Sequence, residues 1–136
     1  MLDKIDAGIL AILKTDSRLP FTEIAKIMGL SEGTVRRRIH NLVDAHVITG
    51  FTIKTKELKP KALVLITIVP SIPTSLVAER VSKIEGVETV FEVAGHMDIV
   101  LTISRKDIGS INQGIDEIRG IDGVQQTNTL FVLREW

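Results

Sequence analysis

Apolar residues recur at helical spacing as far as Asp44, and the period changes from Phe51 onward to short β-branched runs alternating with helical patterns. Between them Lys54-Thr55-Lys56-Glu57-Leu58-Lys59-Pro60-Lys61 is charged and carries a proline, so it reads as a linker. The pattern predicts a first module over residues 1–53, a linker over 54–61 and a second module over 62–136. In the first module, Asp3 with Asp6 three residues on is a helix start, and Ile5, Ile9, Ile12 and Leu13 form one stripe. A second helix is predicted over 21–28, with Ile24, Ile27 and Met28 inward; no Ser, Asp or Asn caps it, though Pro20 fits a first turn. Gly29 supplies the left-handed residue that ends it. Ser31 caps a third helix, Glu32 complements its dipole, and Leu30 can staple to Val35. Residues 47–54 read as a turn and a short strand, a wing.

The second module repeats itself. Ile84-Glu85-Gly86-Val87 and Ile121-Asp122-Gly123-Val124 are one phrase written 37 residues apart, each after a helical segment and before a strand. Strands are expected over 62–69, 89–93, 99–104 and 125–133, with helices over 73–84 and 107–118. The order β-α-β-β-α-β is that of a ferredoxin-like split unit, in which the first and third strands are central. Those two are here the most continuously apolar strands, Leu63-Val64-Leu65-Ile66 and Ile99-Val100-Leu101. The first is apolar on both sides, with Leu63 and Leu65 on one and Val64, Ile66 and Ile68 on the other. Helices cover only one face of such a sheet, so the other calls for a second subunit.

The first module carries the clearest chemistry. In Glu23-Ile24-Ala25-Lys26-Ile27-Met28-Gly29-Leu30-Ser31, Ala25 lets two helices approach and Gly29 turns the chain. On a wheel at 100° per residue, Val35, Ile39 and Leu42 define the buried side of the third helix and Arg37 points away from it. Gly33, Thr34 and Asn41 share the outer face, with Arg36 and Arg38 on its flanks. Small residues at the N-terminus and three arginines behind them suit a DNA major groove. There Ser31 and Thr34 can touch bases or phosphates while the arginines neutralise the backbone.

Charge agrees with this. The 136 residues balance 17 basic against 17 acidic side chains, yet residues 1–60 hold ten against seven and the remainder seven against ten. The front half is the one suited to a polyanion. With no cysteine, disulfides, thiolate metal sites and thiol catalysis are excluded, which suits a reducing cytoplasm. The longest apolar stretches are far too short for a membrane span. The acidic start Leu2-Asp3-Lys4-Ile5-Asp6 is unlike a signal peptide, so no cleaved leader is expected.

The arrangement resembles the Lrp/AsnC (feast/famine) family of prokaryotic transcription regulators. In the first module the resemblance rests on Leu2-Asp3-x-x-Asp6, Gly29-Leu30-Ser31, Val35-x-x-Arg38-Ile39-x-x-Leu42 and Val47-Ile48-x-Gly50-Phe51. In the second it rests on Gly86-Val87, Gly95-x-x-Asp98 and Gly123-Val124-x-x-Thr127-x-Thr129. It implies a winged helix-turn-helix joined to a ferredoxin-like (RAM-type) response domain, an α+β chain that binds double-stranded DNA and assembles as dimers, octamers or larger discs. DNA-binding residues would be Ser31, Gly33, Thr34, Arg36, Arg37, Arg38 and Asn41. A small amino-acid effector, with no other cofactor, would meet Gly95, His96, Met97, Asp98, Thr127 and Thr129. Gly95 admits close backbone approach, Asp98 offers a carboxylate to an ammonium, the threonine hydroxyls can donate to a carboxylate, and Met97 is an adaptable wall. Asp98 equally suits an Asx-type turn. The sequence departs from the family in lacking a polar cap before the second helix and in reading His96-Met97 where a polar residue and an aromatic are usual.

Other chemistry is poorly served. His40, His46 and His96 are scattered with no carboxylate at metal-ligand spacing, and no serine sits in a nucleophile motif. RNA-recognition modules of this topology stack bases on central-strand aromatics. The aromatics here are Phe21, Phe51, Phe91, Phe131 and Trp136, none on those strands. A minority branch of the family decarboxylates a tetrapyrrole, but the acidic second half and the absence of tyrosine suit a polyanionic macrocycle badly. An architectural protein that wraps DNA with little sequence preference would use the same phosphate contacts and stays open.

Overall fold

Local capping decides where the helices of the first unit begin and end. The computed structural model describes residues 2–56 and 59–136, so Met1, and Glu57 and Leu58 of the expected linker, lie outside the described residues. The chain divides into two units, Met1–Lys56 and Glu57–Trp136. In the first, α1 (Lys4–Thr15) starts at a reciprocal capping box: the Asp6 N–H donates to Asp3 Oδ1 at 2.8 Å, and the Asp3 N–H to Asp6 Oδ2 at 3.4 Å. The second helix, α2 (Phe21–Met28), has Pro20 at the cap position itself and no side-chain cap. It ends at Gly29, φ +65°, with the Leu30 N–H reaching the Ala25 carbonyl at 2.9 Å, a Schellman closure. The third, α3 (Glu32–Asp44), is capped by Ser31, whose Oγ accepts the Thr34 N–H at 3.2 Å.

Ile9, Leu13, Ile24, Ala25, Val35 and Ile39 form this unit's core, and Ile5, Ile12, Met28 and Leu30 pack around it. Ile27, expected inward, is 61% exposed. Ala25 and Phe21 pull the buried face of α2 to one side of Ile24 and leave Ile27 about 110° from its centre. The wing strand expected over residues 47–54 is not formed: no strand occurs among residues 47–56, and Val47, Phe51 and Ile53 are exposed. The chain turns at His46, φ +54°, and the Val47 and Ile48 N–H groups both return to the Leu42 carbonyl. A segment becomes a strand only where a neighbour completes its ladder, and no other strand occurs among the described residues of this unit.

The second unit runs β1 (Lys61–Ile68), α4 (Thr74–Ser82), β2 (Val87–Glu92), β3 (Ile99–Ser104), α5 (Ile108–Arg119) and β4 (Val124–Phe131). The sheet order is β2-β3-β1-β4, every pair antiparallel, so the first and third strands are central as their composition predicted. The repeated phrase folds twice into the same turn. Gly86 and Gly123 take φ +85° and +102°, and Val87 and Val124 donate to the carbonyls of Ile84 and Ile121, both at 3.1 Å. A Cβ on Gly86 would stand 2.5 Å from the Ser104 carbonyl oxygen, so only glycine fits there.

Strand alternation builds the core. Ala62, Val64, Ile66 and Ile68 of β1 and Ile99, Leu101 and Ile103 of β3 are buried with Val77 and Val81 of α4 and Ile111, Ile115 and Ile118 of α5. The opposite face stays open. Register aligns Phe91, Val100 and Leu65 in one row across it, and Thr102, Leu63 and Leu130 in the next. Phe91 and Leu130 are 55% and 48% exposed.

Candidate nucleic-acid interface and ligand-response site

A helix-turn-helix presents to solvent whatever its core does not claim, and on α3 the core claims Val35, Ile39 and Leu42. Arg37 stands exposed, without an ion-pair or hydrogen-bond partner among the described residues. Asn41, one turn on, is also exposed, and the space a side chain would fill on Gly33 is empty. Ser31 and Thr34 are engaged with each other, their hydroxyls 2.8 Å apart. Arg36 pairs with Glu32 and lies over the Phe21 ring, 5.2 Å from its centroid.

Arg38, expected on a flank of the outer face, is held by the start of α1. Its Nη1 donates to Asp3 Oδ2 at 2.6 Å and to Asp6 Oδ1 at 2.8 Å, and its side chain is only 24% exposed. Val35 to Leu42 set the buried direction of α3, and Arg38 lies about 65° from it, against about 95° for Arg36. It therefore reaches across the core boundary to the start of α1. Asp3 and Asp6 were legible as a helix cap; their second use, holding Arg38, joins positions 35 and 32 residues apart and left no local signal. A cleft of ≈ 520 Å³ opens beside this contact, lined by Leu2, Asp6, Arg37, Asn41 and Val47 among others.

The Asp6 backbone N–H, and after it the Arg38 guanidinium, hold the Asp3 carboxyl below the usual carboxylate range. Because the native value is depressed, the stabilisation is complete above the unfolded value of about 3.9 and is lost as pH falls through the native one. Thermal melting of the helical signal should therefore drop as pH is lowered from about 5 toward 2, and Asp3→Asn should flatten that part of the profile. An identical acid limb in the variant would show that Asp3 does not contribute.

In the second unit Asp98 extends the sheet past Ile99. Its N–H donates to the Ile66 carbonyl at 2.9 Å, its carbonyl accepts the Val93 N–H at 3.0 Å, and its carboxylate Oδ2 accepts the Ile68 N–H at 2.8 Å. Gly95, φ +145°, makes the turn, with His96 exposed and Met97 half-buried behind it. Thr127 and Thr129 register with Ile66 and Val64 and so lie on the helix-covered side of β4. Thr127 Oγ1 accepts from Arg119 Nε at 3.0 Å, and Thr129 Oγ1 is buried with no partner among the described residues. Asp98 and Thr127 thus flank the same end of β1 from opposite sides, two strand spacings or roughly 10 Å apart. Within one chain they do not close a pocket. Arg119, which the sequence pattern did not single out, adds a half-exposed cation beside Thr127.

Family models match the chain in two places: the AsnC-type helix-turn-helix domain over residues 2–43 and the Lrp/AsnC ligand binding domain over residues 61–136. The chain belongs to the Lrp/AsnC family. It is 42% identical to the HTH-type transcriptional regulator LysM of Saccharolobus solfataricus, over 99% of this chain and 96% of that one. Its fold matches a feast or famine regulatory protein from M. tuberculosis complexed with L-methionine, at TM-score 0.86 and 28% identity, covering 100% and 95% of the two chains. It also matches a Neisseria meningitidis transcriptional regulator in complex with L-methionine, at TM-score 0.82 and 26% identity, covering 99% and 92%. As an Lrp/AsnC-family member it is a DNA-binding transcriptional regulator with a ligand-binding domain, and not an enzyme. No helix of the described residues is long and apolar enough to cross a membrane.

Proposed function

We propose that this regulator reads specific DNA sequences near genes of amino-acid metabolism and that a small amino acid sets its DNA affinity or assembly. The observation that carries the DNA half is the outward face of α3: Arg37 unpaired among the described residues, Asn41 exposed and Gly33 bare, on a helix whose other side is packed. Arg37 and Arg36 serve phosphates or guanine edges, and Ser31, Gly33, Thr34 and Asn41 let the helix N-terminus and its outer face approach the groove. The protein works in the cytoplasm, on the nucleoid.

For the effector half, support comes from a donor and acceptor set that suits a zwitterion and from two relatives crystallised with L-methionine. The second oxygen of Asp98 receives the ammonium, while Thr127, Thr129 and Arg119 supply donors for the carboxylate. Because these groups sit apart in one chain, a second subunit completes the pocket. The open sheet face, with Leu63, Leu65, Phe91, Val100 and Leu130, is where two chains pair as a dimer, and the effector pocket, beside the helix-covered side of β4, is completed by a chain of another dimer. That pairing gives dimers, and contacts between dimers on their other surfaces build octamers or larger discs.

A melting screen of the twenty amino acids tests this. A ligand at 100 times its Kd adds about 2.7 kcal/mol, an easily measured rise. Asp98→Asn keeps an acceptor for the Ile68 N–H while removing the charge, so it should abolish the rise without unfolding the sheet. Either a flat screen or an undiminished response in Asp98→Asn would defeat the effector assignment.

A further inference from the structure

The contact between α1 and α3 is mostly aliphatic, made by Ile9, Leu13, Val35 and Ile39 with Ile5 and Ile12 around them. Packing of that kind is non-directional, and it leaves the roll of one helix against another weakly specified. One polar device crosses the same junction. The four carboxylate oxygens of Asp3 and Asp6 are divided evenly: Asp3 Oδ1 and Asp6 Oδ2 close the α1 capping box, and Asp3 Oδ2 and Asp6 Oδ1 take Arg38 Nη1. The start of α1 and the middle of α3 are thereby tied to the same two side chains. Asp6 is itself only 17% exposed, so the tie is partly shielded from solvent and salt.

Stability alone explains this device poorly. Arg38 Nε is buried with no partner among the described residues, and part-buried ion pairs often contribute less than apolar residues of the same volume would. What such pairs supply best is register. Register matters here because Arg37 directly precedes Arg38 on the helix. A roll of about 10° moves a group at the helix's outer radius of about 6 Å by roughly 1 Å. A recognition constellation must be held to within about 0.5 Å.

We infer that Arg38 is a positioning residue for DNA recognition: its bonds to Asp3 and Asp6 set the roll of α3 and so aim Arg37, Gly33 and Asn41, and it does not itself contact phosphate. The inference rests on reading α3 as the recognition helix.

The test uses the full chain with two duplexes of equal length, one enriched by the wild-type chain from a random pool and one unselected, across a salt series. Asp6→Asn, Arg38→Met and their combination are compared with wild type. On the enriched duplex each single variant should bind on the order of tenfold more weakly, with the double no worse than the weaker single and the salt slope unchanged. On the unselected duplex Asp6→Asn should bind as well as wild type or better, since it has lost a negative charge near DNA. The apolar pair Asp6→Leu with Arg38→Met should melt close to wild type and still lose selectivity, which separates aim from folding. A salt slope shallower by about 0.9 for each Arg38 removed would make it a phosphate contact and overturn the inference. So would additive losses in the double variant, or tighter binding of Asp6→Asn to the enriched duplex. A wild-type chain that enriches no sequence would instead defeat the reading of α3 as a recognition helix, a result distinct from variants that behave like wild type.

Discussion

Replacing Arg37 by alanine is expected to weaken DNA binding strongly and to flatten its salt dependence while the fold stays intact. Arg37 is the arginine of α3 with no competing partner among the described residues, whereas Arg36 is shared with Glu32 and Phe21 and Arg38 with Asp3 and Asp6. Each phosphate neutralised adds about 0.9 to the log–log salt slope. Two copies in a dimer therefore put about 1.8 of that slope on Arg37, and Arg37→Ala should remove it. The side chain is exposed, so the melting temperature should hold within the small range of ordinary surface substitutions, about 0.5 kcal/mol. Thr34→Ala makes a useful contrast. It removes the hydroxyl that meets Ser31, and if Thr34 reads a base edge it shifts the preference among half-sites with the salt slope unchanged. Binding by Arg37→Ala with wild-type affinity and slope would remove α3 from the DNA interface.

Leu65→Glu is expected to turn the assembled protein into monomers and, through that, to cost most of its DNA affinity. Leu65 sits at the centre of the open sheet face, in register with Val100 on one side and Asn128 on the other. The apolar rows around it include Phe91 and Leu130, large side chains that a lone chain leaves about half in water. Two such faces brought together would cover a patch larger than soluble monomers normally present. A glutamate from each copy would then meet its symmetry mate at or near the middle of that contact. Desolvated like charges cost several kcal/mol, and about 4 kcal/mol weakens dimerisation roughly a thousandfold. Sedimentation should show the change at micromolar concentration. Far-ultraviolet circular dichroism should stay near wild type, because the core face of β1 is untouched. DNA affinity should fall together with assembly, since half-sites about 34–36 Å apart need two recognition helices. A wild-type chain that sediments as a monomer would contradict the assignment of this face.

Periodicity determined most of the architecture without help from the structure. Helical spacing of Ile5, Ile9, Ile12 and Leu13, the caps at Asp3 and Ser31, and Gly29 are local, because a cap bonds only three residues away and a left-handed residue acts at its own position. The doubled Ile-acid-Gly-Val phrase and the two apolar strands sufficed to order a four-stranded sheet, since burial on one or both faces is written into each strand's own alternation. What the sequence could not decide is what stands opposite a given side chain. A wheel puts Arg36 and Arg38 on two flanks alike, and only the approach of α1 shows that one flank meets two carboxylates and the other an aromatic ring. Ile27 faces out because α2 docks around Ala25, and residues 47–54 stay unpaired because a strand needs a neighbour that its own sequence does not name. The family resemblance implies one effector site for Asp98 and Thr127, yet they lie on either side of β1, one bonded to Ile68 and the other to Arg119. A one-dimensional pattern records the side of an element each residue takes; partners distant in the chain are set only when those sides meet, and that is a property of the packed chain.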